Sequence, residues 1–213
     1  MALIHKKIQT MNKLITLALF FIATHAYSQQ QNENTKLKES FESVIGKSDK
    51  AYDSVFNNSF TTAGGEKFLR LSIIVNKSLN EVWNTIATES GLKKWIAPVV
   101  SLDLKVGGTI KTNYNEVAKI GDNGTITLGI MSYLPNEMLI LKVTLNDTFA
   151  EKCRNEDKNL HEIIQLKPLG DNRTMITSTM EGWGQGKEWD ETYGFFEKGN
   201  KWTFQELLNS FKK

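Results

Sequence analysis

Between residues 69 and 108 the hydrophobic period changes three times, an order that few folds accept. Leu69, Leu71, Ile73 and Val75 alternate with Phe68, Arg70, Ser72 and Ile74, which is the period of a strand buried well on one face and partly on the other. Ser78 then stands as an N-cap with Glu81 in capping-box position. Leu79, Val82, Trp83 and Ile86 share one face of the helix this predicts. Ser90 and Gly91 interrupt, and Leu92, Trp95 and Ile96 suit a second short helix that Pro98 ends. Residues 99–106 return to a strand, and Gly107-Gly108 bends the chain into the next one.

The rest of the pattern is simpler. Strand-like runs at 109–116, 125–134, 138–146, 160–169 and 173–181 are separated by turn residues such as Pro135-Asn136-Glu137 and Gly170-Asp171-Asn172. Short turns between consecutive strands imply an antiparallel meander. Residues 148–159 are charged and aperiodic and read as a long loop. From about Glu188, Trp189, Tyr193, Phe196, Thr203, Leu207 and Phe211 form an apolar stripe, widened by Phe195, Trp202 and Leu208. This predicts one long helix of about 24 residues, roughly 36 Å. The expected fold is α+β: a curved antiparallel sheet of about six to seven strands around a long C-terminal helix, with two short helices after the first strand.

The N-terminus differs from this domain. Lys6, Lys7 and Lys13 precede the apolar run at 14–24, and Ala26-Tyr27-Ser28 offers small residues for a cut before Gln29. That is the anatomy of a secretory signal peptide over residues 1–28, with Met11 an alternative start. The run is shorter than the roughly 20 residues a bilayer span needs, so no stable membrane anchor is expected after cleavage. With the Lys/Asn richness, this suggests an exported bacterial protein, periplasmic or secreted. Residues 29–65 read as an extension: a polar leader, a short helix over 37–45, and an extended segment at 52–61 folded back by Ala63-Gly64-Gly65. The domain proper is expected at 66–213.

Net charge of the 213-residue chain is +2, which argues against a nucleic-acid surface. Cys153 is the only cysteine, so no internal disulfide forms. The 40% hydrophobic content must supply the stability.

The stretch Asn80-Glu81-Val82-Trp83, then Gly91-Leu92-Lys93-Lys94-Trp95, then Asp103-Leu104-Lys105-Val106-Gly107-Gly108 resembles the family named after the activator of the heat-shock-protein-90 ATPase. That family belongs to the SRPBCC superfamily, with the birch-pollen-allergen and START domains and their helix-grip fold. The resemblance covers about residues 66–211. The Gly-Trp pair common near the start of that family's last helix is only loosely echoed by Gly182-Trp183, and Trp189 is a candidate for its packing role. The resemblance implies a cavity between sheet and long helix. Members bind hydrophobic ligands, cyclise polyketides or act as co-chaperones, so the fold does not choose among these.

The residues exclude several chemistries. After the signal segment only one histidine remains, His161, and Cys153 has no CxxC companion, so no metal site is expected. His161 and Glu162 are strand neighbours facing opposite sides, a poor acid–base pair. No phosphate loop, nucleophile elbow or cofactor motif occurs. Glu188, Asp190 and Glu191 open the last helix, where negative charge favours the helix dipole. The aromatic set is the most suggestive. Trp95, Tyr114, Met131, Trp183, Trp189, Tyr193, Phe196 and Asn200 are the candidate ligand-binding residues. Gly194 and Gly199 in the same helix cost stability against Ala, which makes sense if the sheet or a ligand approaches closely. The expected function is non-enzymatic binding of a small hydrophobic or amphipathic molecule or lipid. The alternatives are a cyclase- or hydrolase-like enzyme using Tyr114, Asp190 or Tyr193, and a co-chaperone-like interaction module. The signal segment argues against the last.

Overall fold

The structure is a computed structural model that describes residues 54–212. The expected signal segment and the short helix at 37–45 lie outside the described residues. Among the described residues, nine strands form one antiparallel sheet. Their sequence order is β1 (Phe56–Asn57), β2 (Phe60–Thr61), β3 (Lys67–Val75), β4 (Val99–Leu102), β5 (Thr109–Asn113), β6 (Ile126–Leu134), β7 (Met138–Val143), β8 (His161–Gly170) and β9 (Arg173–Glu181). Helices α1 (Leu79–Ile86) and α2 (Glu89–Leu92) follow β3, α3 (Glu151–Glu156) follows β7, and α4 (Lys187–Ser210) comes last.

The spatial order is β1-β3-β9-β8-β7-β6-β5-β4, with β2 also on β3. Strands β4 to β9 are thus the expected meander, and β3 closes against its far end. Two strands beyond the expected six to seven arise because the segment before Gly64 joins the sheet as β1 and β2. Phe60 stacks on Phe68 at 4.8 Å and holds β2 there. The turn behind it is the expected one, with the Gly65 amide donating to the Thr62 carbonyl at 3.0 Å.

Local chemistry explains the helices. Ser78 and Glu81 form a reciprocal capping box at α1. Thr88 caps α2, accepting from the Gly91 amide. Ser90 and Gly91 therefore belong to α2 rather than interrupting two helices, and Trp95 lies in the turn after it. Gly91 is there because a Cβ would come within 2.3 Å of the Asn84 carbonyl oxygen. The charged stretch 148–159 holds α3, not only a loop. Of α3 only Cys153 is buried, too little to give a period. Strand β4 stops at Leu102, short of the expected end, because Gly108 packs its backbone on the Asp103 carbonyl, where a Cβ would sit 2.0 Å away. Strand β5 stops at Asn113, whose side chain turns to the Asn123 carbonyl and the Asn115 amide.

Register fixes which residues face α4. Leu69 pairs with Met180, Met180 with Glu162, Glu162 with Leu141 and Leu141 with Ile130, one row across the inner face. Leu71, Ser178, Ile164 and Leu139 form the neighbouring row, and Ile73, Ile176 and Leu166 the one beyond it. The buried residues gather in two clusters. The larger joins α1, α2 and the C-terminal part of α4, through Phe204, Leu207 and Leu208, to the sheet. The smaller holds Leu69, Val143, Cys153, Leu160, Met180 and Trp189 under the N-terminal part of α4.

Gly194 sits on α4 with nothing within 4 Å of where a Cβ would stand. The close approach expected from the sequence is not made there. Gly194→Ala therefore adds helix propensity without a clash, worth up to about 1 kcal/mol. For a chain this size that raises Tm by about 2–4 °C, measurable by differential scanning calorimetry; a lower Tm contradicts the open space at this position.

Candidate functional site

The two core clusters do not meet under the middle of α4. Thr192 and Trp189 are buried toward its start and Phe204, Leu207 and Leu208 toward its end. Between them the helix presents Phe196, Gly199, Asn200 and Thr203. Glycine has no side chain, and the Thr203 hydroxyl turns back to the Gly199 carbonyl at 3.0 Å. The helix is held at both ends and fills little below its centre. A cavity of about 370 Å³ results.

Its floor is the inner sheet face, with Ile110, Leu128, Leu141 and Ile164, and its closed end is made by Ile86, Leu92 and Trp95. The Trp95 indole is fixed by donating to the Thr85 carbonyl at 3.2 Å. The mouth is aromatic. Tyr114, Phe195 and Trp202 line it and remain 51%, 61% and 54% exposed, unusual for large rings on a folded surface. Tyr114 and Trp202 face each other with centroids 6.5 Å apart. Partial burial raises the Tyr114 phenol above its ordinary value.

One charged-type group enters this apolar space. Glu162 lines the cavity floor, and Ser178 donates to its Oε1 at 2.5 Å. The surface Glu162 retains faces the cavity rather than bulk water. Burial pushes the carboxyl up from the usual carboxylate range, and the Ser178 hydrogen bond opposes that shift without cancelling it. Met180, the register partner of Glu162, receives the Asn200 amide on its sulfur at 3.0 Å. Glu162 and Asn200 thus flank the same methionine, one from the sheet and one from the helix.

Of the eight residues expected from the sequence, Trp95, Tyr114, Phe196 and Asn200 line this cavity together. The other four lie elsewhere. Met131 is the extra residue of a β-bulge between Ile130 and Ser132, is 49% exposed, and lies on the face opposite its buried neighbour Ile130. Trp189 is core, its indole donating to Glu156 Oε2 at 2.8 Å. It packs so closely on Gly184 that a Cβ there would meet the ring at 2.1 Å. Tyr193 meets Trp183 edge-on at 5.0 Å, and Trp183 meets Phe196 at 5.7 Å from the side of the smaller cluster.

Trp183 also borders a polar depression of about 540 Å³ on the other side of that cluster, with His161, Glu181, Lys67 and Asp190. His161 Nε2 lies 3.0 Å from Glu181 Oε1, and Lys67 lies 2.5 Å from Asp190. The acidic opening of α4 is therefore paired at the surface: Asp190 with Lys67 and Glu188 with Lys152 at 3.4 Å. A backbone amide and Lys152 hold the Glu188 carboxyl below its ordinary value. Asp190 and Tyr193, named above as acid–base candidates, do not line the cavity. Among the described residues no three His, Cys, Asp or Glu gather to hold a metal ion, and no helix is long and apolar enough to cross a membrane.

A curved antiparallel sheet gripping one long helix over a cavity defines the helix-grip fold of the SRPBCC superfamily. A family model for Activator of Hsp90 ATPase homolog 1-like protein matches residues 76–212. The chain belongs to that family. Solved structures agree on the fold. The Aha1 dimer from Colwellia psychrerythraea has TM-score 0.50 and 18% identity, covering 68% of this chain and 98% of that one. A Mesorhizobium loti protein has TM-score 0.52 and 14% identity, with 68% and 96% covered. CalU16 from Micromonospora echinospora has TM-score 0.50 and 13% identity, with 72% and 80% covered. A comparison with curated proteins finds no match.

Glu162 was not among the expected site residues, yet it is the cavity's strongest polar feature. Its raised carboxyl has a consequence for stability. A carboxyl that holds its proton more tightly folded than unfolded costs stability once pH exceeds its ordinary unfolded value of about 4.3. Glu162→Gln should therefore raise Tm at pH 7–8, with the gain shrinking toward pH 4. Thermal melts across that range check it; a pH-independent difference contradicts burial of the carboxyl.

Proposed function

We propose that the chain is an exported binding protein, released by removal of residues 1–28, that holds a small apolar or amphipathic molecule beneath α4 without transforming it. The observation that carries this reading is the cavity itself. At about 370 Å³ it falls within the usual size of ligand sites. It is walled by aliphatic side chains, and its exposed aromatic rim is an apolar threshold that a soluble protein has no structural need to keep.

Two experiments test the two halves of the proposal. Gly199→Leu places a side chain where no atom lies within 4 Å of the Cβ position, inside the cavity. Nile red fluorescence on binding should fall at least tenfold in this variant while Tm holds or rises. Unchanged dye binding places the ligand elsewhere. N-terminal sequencing of protein recovered from outside the cytoplasm of its host should begin at Gln29; an intact N-terminus in the cytoplasm overturns export.

A second reading, acid–base catalysis, is favoured by the presence of Glu162 and Tyr114 in one cavity, both shifted upward. They stand on or just after strands separated by two others in the sheet. At about 4.8 Å per strand the backbones are roughly 14 Å apart, so the two groups would act on different ends of a substrate. A change in the mass of a bound molecule after incubation with the protein favours this reading over binding alone.

A further inference from the structure

The proposed function leaves the ligand's chemistry open, and the cavity's polar groups narrow it. The obvious occupants of an apolar cup are fatty acids and other amphipathic anions. Such a head needs a cation or a row of donors to replace its water. None of the lining residues is Lys, Arg or His. Among the described residues, the only ionisable groups lining the cavity are Glu162 on the floor and Tyr114 at the mouth. A carboxylate or phosphate head lodged inside would face a carboxyl and find no counter-charge.

The geometry asks for the opposite sign. Glu162 Oε1 receives the Ser178 hydroxyl at 2.5 Å. No other hydrogen bond to this carboxyl is made among the described residues, so Oε2 is left as an acceptor toward the cavity. Asn200, on the opposite wall, spends its amide nitrogen on the Met180 sulfur, a weak acceptor, which leaves its carbonyl oxygen as a second one. The inner face of β8 beside Glu162 continues with Ile164 and Leu166, both buried, so the acceptors are localised. His161 and its partner Glu181 lie on the other face of the sheet and do not compensate Glu162.

We infer that the ligand is a small cationic amphiphile, an apolar body bearing a basic amine, whose ammonium is held between Glu162 and Asn200 while its body fills the aliphatic floor. An ammonium supplies three donors and the missing positive charge. A buried carboxylate is costly alone and is stabilised by a partner of this kind. The volume limits the body: at about 30 Å³ per non-hydrogen atom, the share of a water in the liquid, the cavity of about 370 Å³ takes about a dozen such atoms. This inference rests on the binding reading above and deepens it.

A matched series tests it: 4-phenylbutylamine, 4-phenylbutan-1-ol and 4-phenylbutyrate, titrated into the full chain by calorimetry at pH 7.5. The amine should bind at least about tenfold more tightly than the alcohol, and the carboxylate most weakly. Glu162→Gln should erase the amine's advantage and leave the alcohol's affinity within about twofold. In the unsubstituted protein, the amine's advantage over the alcohol should also fall as pH drops and Glu162 takes up a proton. This arm needs no variant to fold. An amine that binds no better than the alcohol, or an advantage that survives Glu162→Gln or is independent of pH, overturns the inference and leaves the binding reading standing. If none of the three binds, and Nile red does not either, both fall.

Discussion

Helix α4 is anchored at two places and unsupported between them, and most of the molecule's character follows from that. Trp189 fixes one end by filling the smaller core cluster, and Phe204, Leu207 and Leu208 fix the other against the larger. After Phe196, the intervening stretch presents Gly199, Asn200 and Thr203 to the cavity instead of Leu or Ile. Burial at the two anchors, at about 25 cal/mol per Å² of apolar surface, holds the helix against the sheet without requiring contact at the centre. The cavity is a span the helix bridges, set by residue choice over Phe196 to Thr203, and its size is separable from the stability of the fold.

The sheet contributes the second constraint. Side chains alternate across a strand, so registry decides which groups see the helix. The row from Leu69 through Met180, Glu162 and Leu141 to Ile130 puts one carboxyl among four apolar neighbours. A one-residue slip of β8 would present His161 inward and Glu162 to water. The polarity inside the cavity thus depends on the hairpin at Gly170, where Asp171 and Asn172 adopt positive φ of 49° and 57° and set the pairing of β8 with β9.

Fold and site were legible to different depths. The alternation at Leu69–Val75, the capping box at Ser78 and the long stripe after Glu188 are repeated local signals, and the structure follows them. The closing of β3 on β9 was not among the expectations, since no local pattern encodes a partner so distant. Within the site, Trp95, Tyr114, Phe196 and Asn200 converge, but Trp189 and Met131 do not. Trp189 looks the same on a helical wheel whether it meets a ligand or Gly184, and only the chain's close approach tells them apart. Met131 directly follows the inward-facing Ile130, so strand alternation alone places it on the outer face. Glu162 had a readable signal: it shares its period with Leu160, Ile164 and Leu166. Glu162 and His161 do face opposite sides of the sheet, and Glu162 has the inner one.

The seam between β3 and β9 bears on how the chain acquires its shape. Arg70 and Thr179, joined across it by a hydrogen bond of 3.1 Å, are 109 residues apart in sequence. The hairpins β4–β5, β6–β7 and β8–β9 close short loops and can form early, whereas this seam must wait until nearly the whole domain exists and bears the largest closure entropy. Until then β3 and β9 are both open edges rich in Ile, Leu, Thr and Met, free to pair with another chain. The molecule's period of greatest aggregation risk is therefore the interval before its first long strand meets its last.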